Sequence, residues 1–224
     1  MREETKIRSG TVMNIMTDDH SLRAEIARVS RELYKRGLTG STGGNISCRA
    51  GNIMLISKTN TSFGRLKPED ILACDLSGKP LEEGRPSREV GFHAAIYQQR
   101  PSAGAVVHLH SPYAIALGAF SLNDRDVLPS CTYGAVVRVG RVPMVGFHEP
   151  GHADLIGRVA DELKNAENAI YLAKHGIITF AEDLGSACDI AEEFEQNAKI
   201  YVVTGGKVPL LDPNEVERLR RIKK

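Results

Sequence analysis

The stretch Ala169-Ile170-Tyr171-Leu172-Ala173-Lys174-His175-Gly176-Ile177-Ile178-Thr179-Phe180 decides the fold class. It holds two apolar runs of strand length, 169–173 and 176–180, that flank a turn. Parallel neighbours need a crossover of about a dozen residues or more. Two residues cannot supply one, so these strands belong to a sheet that is mixed or mainly antiparallel. Gly176 lets the chain turn tightly behind His175.

Working outward, Ala103–His110 is the clearest strand, and Ile53–Ser57 and Ile71–Leu76 are two more short runs. Ala135–Val139 and Val142–Phe147 read as a strand pair joined at Gly140-Arg141. Leu22, Ile26, Val29 and Leu33 share one helical face, with Gly37 as a stop. Further helices are expected over about 88–98, 112–120, 153–164 and 184–203. In the last of these, Ile190, Phe194, Ala198 and Tyr201 share a face. The Gly, Ser, Thr and Asn of residues 38–47 predict a loop. About seven strands and five helices result: an α/β fold in which a central mixed, mainly antiparallel sheet packs between helices in three layers. Residues 1–19 read as a loose N-terminal arm and 20–224 as a single domain. The charged tail, 215–224, reads as a solvated helix end.

Bulk composition removes whole classes. The 224 residues carry 29 Lys+Arg against 28 Asp+Glu, which gives no global field for nucleic acid. No apolar run approaches the ~18 residues of a membrane helix. Met1-Arg2-Glu3-Glu4 lacks the apolar stretch of a signal peptide, so the cytoplasm is the expected location. Cys48, Cys74, Cys131 and Cys188 are widely spaced, which predicts neither a disulfide framework nor a thiolate zinc site.

The chemistry concentrates in histidines. His108 and His110, in Val106-Val107-His108-Leu109-His110, are two apart on a strand, so both imidazoles face one space. Two readings stand: a shared metal ion, or a hydrogen-bonded pair at a sheet rim. His175 is a third candidate, and three His leave one or two positions open on zinc, as in catalytic sites. Glu89, where a loop enters a helix, is either a first-turn carboxylate favoured by the helix dipole or a ligand or general base beside the metal. His93 is expected to pack or hydrogen-bond along its helix, and His148 and His152 to lie in a polar loop.

Three small polar clusters could receive an anion. Gly40-Ser41-Thr42-Gly43-Gly44-Asn45 exposes backbone N–H groups and hydroxyls, which suits a phosphate. It matches neither a P-loop nor a Rossmann fingerprint, and an ordinary connection is the alternative reading. Ser57-Lys58-Thr59-Asn60-Thr61-Ser62 is the second cluster. Ser87 and Arg88 form the third beside Glu89, with a guanidinium for charge-assisted bonds.

In order along the chain, Gly43-Gly44-Asn45, Pro86-Ser87-Arg88-Glu89, Val106-Val107-His108-Leu109-His110 and Lys174-His175-Gly176 resemble the class II aldolase/adducin family over about residues 22–204. The resemblance implies that His108, His110 and His175 ligate one divalent ion per subunit: Zn²⁺, with Mn²⁺ or Co²⁺ as alternatives. It implies that Glu89 acts as base or extra ligand, and that Ser41, Thr42, Asn45, Thr59, Asn60, Ser87 and Arg88 hold a substrate phosphate. Tyr133 falls where aldolases place an acid/base tyrosine from a neighbouring subunit, with a buried or interface tyrosine as the alternative. A homotetramer with sites between subunits is implied.

The implied activity is that of a carbon–carbon lyase acting on a phosphorylated sugar or sugar acid through a metal-bound enediolate. Many aldolases have Ser-Ser-Glu where this chain has Ser87-Arg88-Glu89, and Thr-Gly where it has Thr59-Asn60. The added cation, with the surroundings of Phe63–Leu66 and Arg138–Pro143, is most similar to 3-oxo-tetronate 4-phosphate decarboxylases. Ketose-1-phosphate aldolases are the alternative. Ribulose-phosphate 4-epimerases, which usually carry Asp at the position of Glu89, and non-catalytic adducin-like modules lie further off.

Overall fold

A computed structural model describes residues 3–120 and 122–222, with side chains from Asp19 onward. Among these residues the strands are β1 (Asn45–Ala50), β2 (Ile53–Ser57), β3 (Ile71–Asp75), β4 (Ala105–Leu109), β5 (Met144–Val145), β6 (Ala169–Leu172) and β7 (Gly176–Ala181). They form one sheet in the order β3-β2-β1-β4-β7-β6-β5. Every neighbouring pair is antiparallel except β5–β6, so the expected mixed, mainly antiparallel sheet is present.

The helices are α1 (Glu3–Lys35), α2 (Val90–Gln99), α3 (Pro112–Ala116), α4 (Ala153–Glu162), α5 (Leu184–Val203) and α6 (Pro213–Ile222). Strand alternation divides the core into two layers. Ile46, Cys48, Val107, Leu109 and Ile177 meet Ile26 and Leu33 of α1 and Phe194 and Ala198 of α5. Val106, Ile170, Leu172, Ile178 and Phe180 meet Phe92 and Ile96 of α2 and Leu155 and Val159 of α4. Each fully buried Val, Leu, Ile or Phe side chain among these contributes about 1.5–3 kcal/mol. The result is the expected three-layer α/β/α arrangement.

Helix α1 ends in a Schellman motif: Leu38 N–H donates to Leu33 O at 3.1 Å and Gly37 N–H to Tyr34 O at 3.0 Å. Gly37 takes φ +78° there. This stop delivers the chain to the Gly40–Asn45 loop.

Three expectations need correction. Residues 135–139 are not a strand but a π-helical turn closed by Gly140 N–H to Ala135 O at 3.0 Å. Its β-branched run is drawn to other partners, for Val136 packs on Val216 and Leu219 of α6. A strand absent from the expected set, β1, occupies part of the predicted 38–47 loop. The backbone from Glu3 is helical and continuous with α1, where a loose arm was expected. Residues 1 and 2 of that arm, its side chains through 18, and residues 223–224 of the tail lie outside the described residues.

Candidate metal centre

Strand β4 carries the site. Val107 and Leu109 face the α1/α5 layer, so Val106, His108 and His110 face α2 and α4. His108 is fully buried and meets Phe92 edge-on. His175 sits in the β6–β7 turn, which is shaped by φ +60° at Lys174 and +153° at Gly176. A Cβ on Gly176 would lie 2.1 Å from Leu109 O, so glycine is required for the turn to press against the end of β4. Glu89 immediately precedes α2, its N–H donating to Ser87 Oγ at 3.2 Å.

These four residues converge: each offers one ligand atom, all within 4.8 Å of one another. The three imidazoles contact one another edge-on with centroids 4.7, 4.8 and 4.9 Å apart. His108 Nδ1–H donates to Ile177 O at 2.8 Å. In the neutral ring this leaves a bare lone pair on Nε2. That nitrogen lies 3.0 Å from His110 Nε2 and 3.3 Å from Glu89 Oε2. Glu89 Oε1 is 3.5 Å from His175 Nε2.

Burial keeps the rings neutral. It is the largest influence on His108, pushed down to about 3, with His110 adding to it and the Ile177 carbonyl opposing. His175 is pushed down to about 4, again mainly by burial, with Glu89 opposing. His110 is lowered for the same reason. Neutral imidazoles are the metal-binding form. Glu89 Oε1 and both ring nitrogens of His175 are buried without hydrogen-bond partners. Lone pairs and a carboxylate crowded together, with Glu89 Oε1 and the His175 nitrogens unpartnered, form an arrangement that a cation relieves, and three nitrogens with one carboxylate oxygen fit a borderline divalent ion.

A pocket of about 180 Å³ opens above the cluster. Of the residues expected at a phosphate site, Thr42, Asn45, Thr59, Asn60, Ser87 and Arg88 line it, together with Glu89, His110 and His175. Ser41 forms the preceding turn at φ +54° and does not line the pocket itself. Asn60 takes φ +60°, a region glycine enters freely and asparagine next most easily. That accounts for asparagine at a position where many aldolases have glycine. The three non-glycine residues with positive φ among those described, Ser41, Asn60 and Lys174, all border this site, in keeping with strain stored where function lies.

Lys58 also lines the pocket, its Nζ donating to Glu69 O at 2.6 Å. In the sequence it stands only as part of the polar cluster 57–62. The cation beside Thr59 was the available signal. Tyr133 is 64% exposed and lies outside the pocket lining. The side chain of Asn45 is already engaged, with Nδ2 donating to Glu89 Oε2 at 2.8 Å and Oδ1 2.5 Å from His93 Nε2. His93 packs as expected, buried and stacked on Phe92, but its hydrogen bonds reach across to β1, where its Nδ1 is 2.7 Å from Ser47 Oγ.

Comparison with known proteins agrees with this architecture. Residues 24–202 match the family model "Class II Aldolase and Adducin N-terminal domain", and the chain belongs to that family. A 3-oxo-tetronate 4-phosphate decarboxylase of Haemophilus influenzae is 34% identical over 200 residues, covering 87% of this chain and 93% of the relative. An L-fuculose phosphate aldolase of the same organism is 36% identical over 200 residues, covering 88% and 90%. The crystal structure of YgbL from Escherichia coli, whose name leaves aldolase, epimerase and decarboxylase open, superposes with a TM-score of 0.85 at 31% identity. It covers 90% of this chain and 99% of that one. The chain is thus an enzyme of the class II aldolase family. Identity alone does not rank decarboxylase against aldolase, so the pocket's chemistry has to.

Proposed function

We infer that this enzyme is a divalent-metal-dependent lyase that decarboxylates a 3-oxo-tetronate 4-phosphate. The observation that carries this reading is the buried Glu89/His108/His110/His175 cluster at the base of a pocket that also holds two cations, Lys58 and Arg88. His108, His110 and His175 would hold the ion, Zn²⁺ being the best match to three imidazoles, with Mn²⁺ or Co²⁺ as alternatives. When bound, the ion supplies Lewis acidity toward the substrate's carbonyl and neighbouring hydroxyl oxygens.

The chain's own residues do the rest. Thr42 and the Gly44 backbone, Thr59 and Asn60, with Ser87, hold the phosphate and fix the register of the reacting carbons, binding remote from the breaking bond. Arg88 and Lys58 suit a substrate with a carboxylate as well as a phosphate. The bond between the carboxyl carbon and C2 breaks, CO₂ leaves, and the electron pair stays on C2, conjugated with the 3-oxo group. Glu89, having taken up one proton from solvent, delivers it to C2 and is left as the carboxylate that the next turnover reprotonates. The products are CO₂ and a phosphorylated dihydroxyketone. Tyr133, outside its own chain's pocket, would act in the pocket of a neighbouring copy, which fits a homotetramer with shared sites. A cytoplasmic location goes with this reading. Among the described residues, no helix is long and apolar enough to cross a membrane.

The second reading is a ketose-1-phosphate aldolase, favoured by the aldolase relative at 36% identity. The two separate on products. With 3-oxo-tetronate 4-phosphate, metal-loaded enzyme should release CO₂ stoichiometrically. Release of aldehyde from fuculose 1-phosphate at the higher kcat/KM, with no CO₂ from the keto acid, would overturn the decarboxylase assignment.

A further inference from the structure

A buried chain of side chains leads away from Glu89 into the α2 layer. Asn45 Nδ2 donates to Glu89 Oε2 at 2.8 Å, and Asn45 Oδ1 is 2.5 Å from His93 Nε2. His93 Nδ1 is 2.7 Å from Ser47 Oγ, which is 2.8 Å from Tyr97 Oη. Asn45, Ser47, His93 and Tyr97 are all at least 95% buried. Strand alternation aims Asn45 and Ser47 at α2, and i, i+4 spacing brings His93 and Tyr97 to the same face of that helix.

The direction of every hydrogen in this chain follows from its end. A carboxylate oxygen accepts, so the Asn45 amide nitrogen faces Glu89 and its Oδ1 faces His93. Oδ1 can only accept, so His93 carries its proton on Nε2. Burial holds His93 neutral, so Nδ1 is bare and accepts from Ser47 O–H. The Ser47 hydrogen being spent, Tyr97 O–H donates to Ser47. All four donors point toward Glu89: Tyr97 to Ser47, Ser47 to His93, His93 to Asn45, Asn45 to Glu89.

We propose that His93, Ser47 and Tyr97 are positioning residues that, through Asn45, reserve Glu89 Oε2 as an acceptor and leave Oε1 as the oxygen that carries the transferred proton. Oε1 has no hydrogen-bond partner and sits on the His175 side. A carboxyl held by one oxygen cannot rotate to present the other, so the proton is carried at one place. The effect belongs in kcat, because none of His93, Ser47 and Tyr97 lines the substrate pocket. This inference rests on the reading of Glu89 as the proton carrier.

The test has two parts. In the full-length metal-free protein with ¹⁵N-labelled histidine, His93 (assigned by loss of its signals in His93→Gln) should be protonated at Nε2 and bare at Nδ1. A ring protonated at Nδ1 reverses the chain and overturns the proposal. In metal-loaded enzyme, His93→Phe and Ser47→Ala should lower kcat by about 10- to 100-fold, the range for loss of an outer partner, with KM and metal content within about twofold. His93→Gln, which keeps an N–H toward Asn45, should recover part of the loss. If His93→Phe does not fold, Ser47→Ala and Tyr97→Phe decide. Wild-type kcat in both, with the Nε2–H tautomer lost in Ser47→Ala, overturns the proposal. Glu89→Gln separates the two claims: a fully active Glu89→Gln removes the reading of Glu89, whereas an inactive Glu89→Gln beside fully active Ser47→Ala and His93→Phe removes this inference alone.

Discussion

His93 and His108 are both fully buried on the same face of one sheet, and burial presses both toward the neutral ring. Their surroundings differ. Each nitrogen of His93 meets a side chain able to complete a hydrogen bond. His108 has one nitrogen satisfied by a backbone carbonyl, while the other faces two imidazoles and a carboxylate. An unpaired buried polar group costs about 1–3 kcal/mol. A fold that leaves several together has reserved the space for something with positive charge. The contrast separates histidines that hold the framework from histidines that await a ligand.

The largest expected effect comes from removing the incomplete cluster. His108→Ala/His110→Ala should abolish binding of the divalent ion and lower kcat/KM by more than about 10³-fold, since two of three nitrogen ligands go. Metal analysis of the purified variant beside the wild type checks this. Retained metal and turnover would erase the distinction between the two histidines.

Glu89→Gln leaves the imidazoles in place. It should keep metal content yet cost about 10²–10⁴-fold in kcat, the range for a proton-transfer group. Steady-state kinetics at saturating substrate reads this directly. At the pocket rim, Arg88→Ala and Lys58→Ala should raise KM about tenfold with kcat changed less, as expected of binding shared by ground and transition states. A fall in kcat with constant KM would move these cations into the chemistry.

Gly44→Ala tests the packing behind the site. Gly44 has φ +84°, and a Cβ there would lie 2.5 Å from His108 O. The expected cost is about 1–3 kcal/mol, read as a lowered Tm and weaker metal retention.

A further effect expected is a pH dependence of the metal-free protein. The folded values of His108, about 3, and His175, about 4, lie below the ordinary 6.5. Between those values and 6.5 the unfolded chain binds more protons, so stability rises with pH in that window and falls as pH drops through it. Thermal melts of the metal-free protein at pH 7 and pH 5 should show a lower Tm at pH 5.

Much of this contrast was legible in the sequence, and the reasons are local. His108 and His110 announce a shared direction because a strand has period two. The 169–180 hairpin places His175 at a turn because its link is too short for anything else. What the sequence concealed lies where polar residues serve the site. Strand β1 reads as loop because its inward face is Asn45 and Ser47 instead of aliphatics, and those two side chains are buried against Glu89, His93 and Tyr97. Residues 135–139 mislead in the opposite way. Their valines suggest a strand, yet they pack on helices distant in sequence: Val139 in the α1/α5 layer and Val136 on α6, some eighty residues on. Periodicity reads a segment's own pattern, and neither segment carries its partner within itself.

The order of strands has a consequence for synthesis. β4 is flanked by β1 and β7, so on a ribosome the chain carries Glu89, His108 and His110 well before His175 and the Ile177 carbonyl have been made. Until the last hairpin emerges and docks, His108 has no partner to fix its proton and the third imidazole is missing. The nascent chain therefore passes the longest part of its synthesis without a completed cage, and loading with metal marks a chain whose last hairpin has already docked.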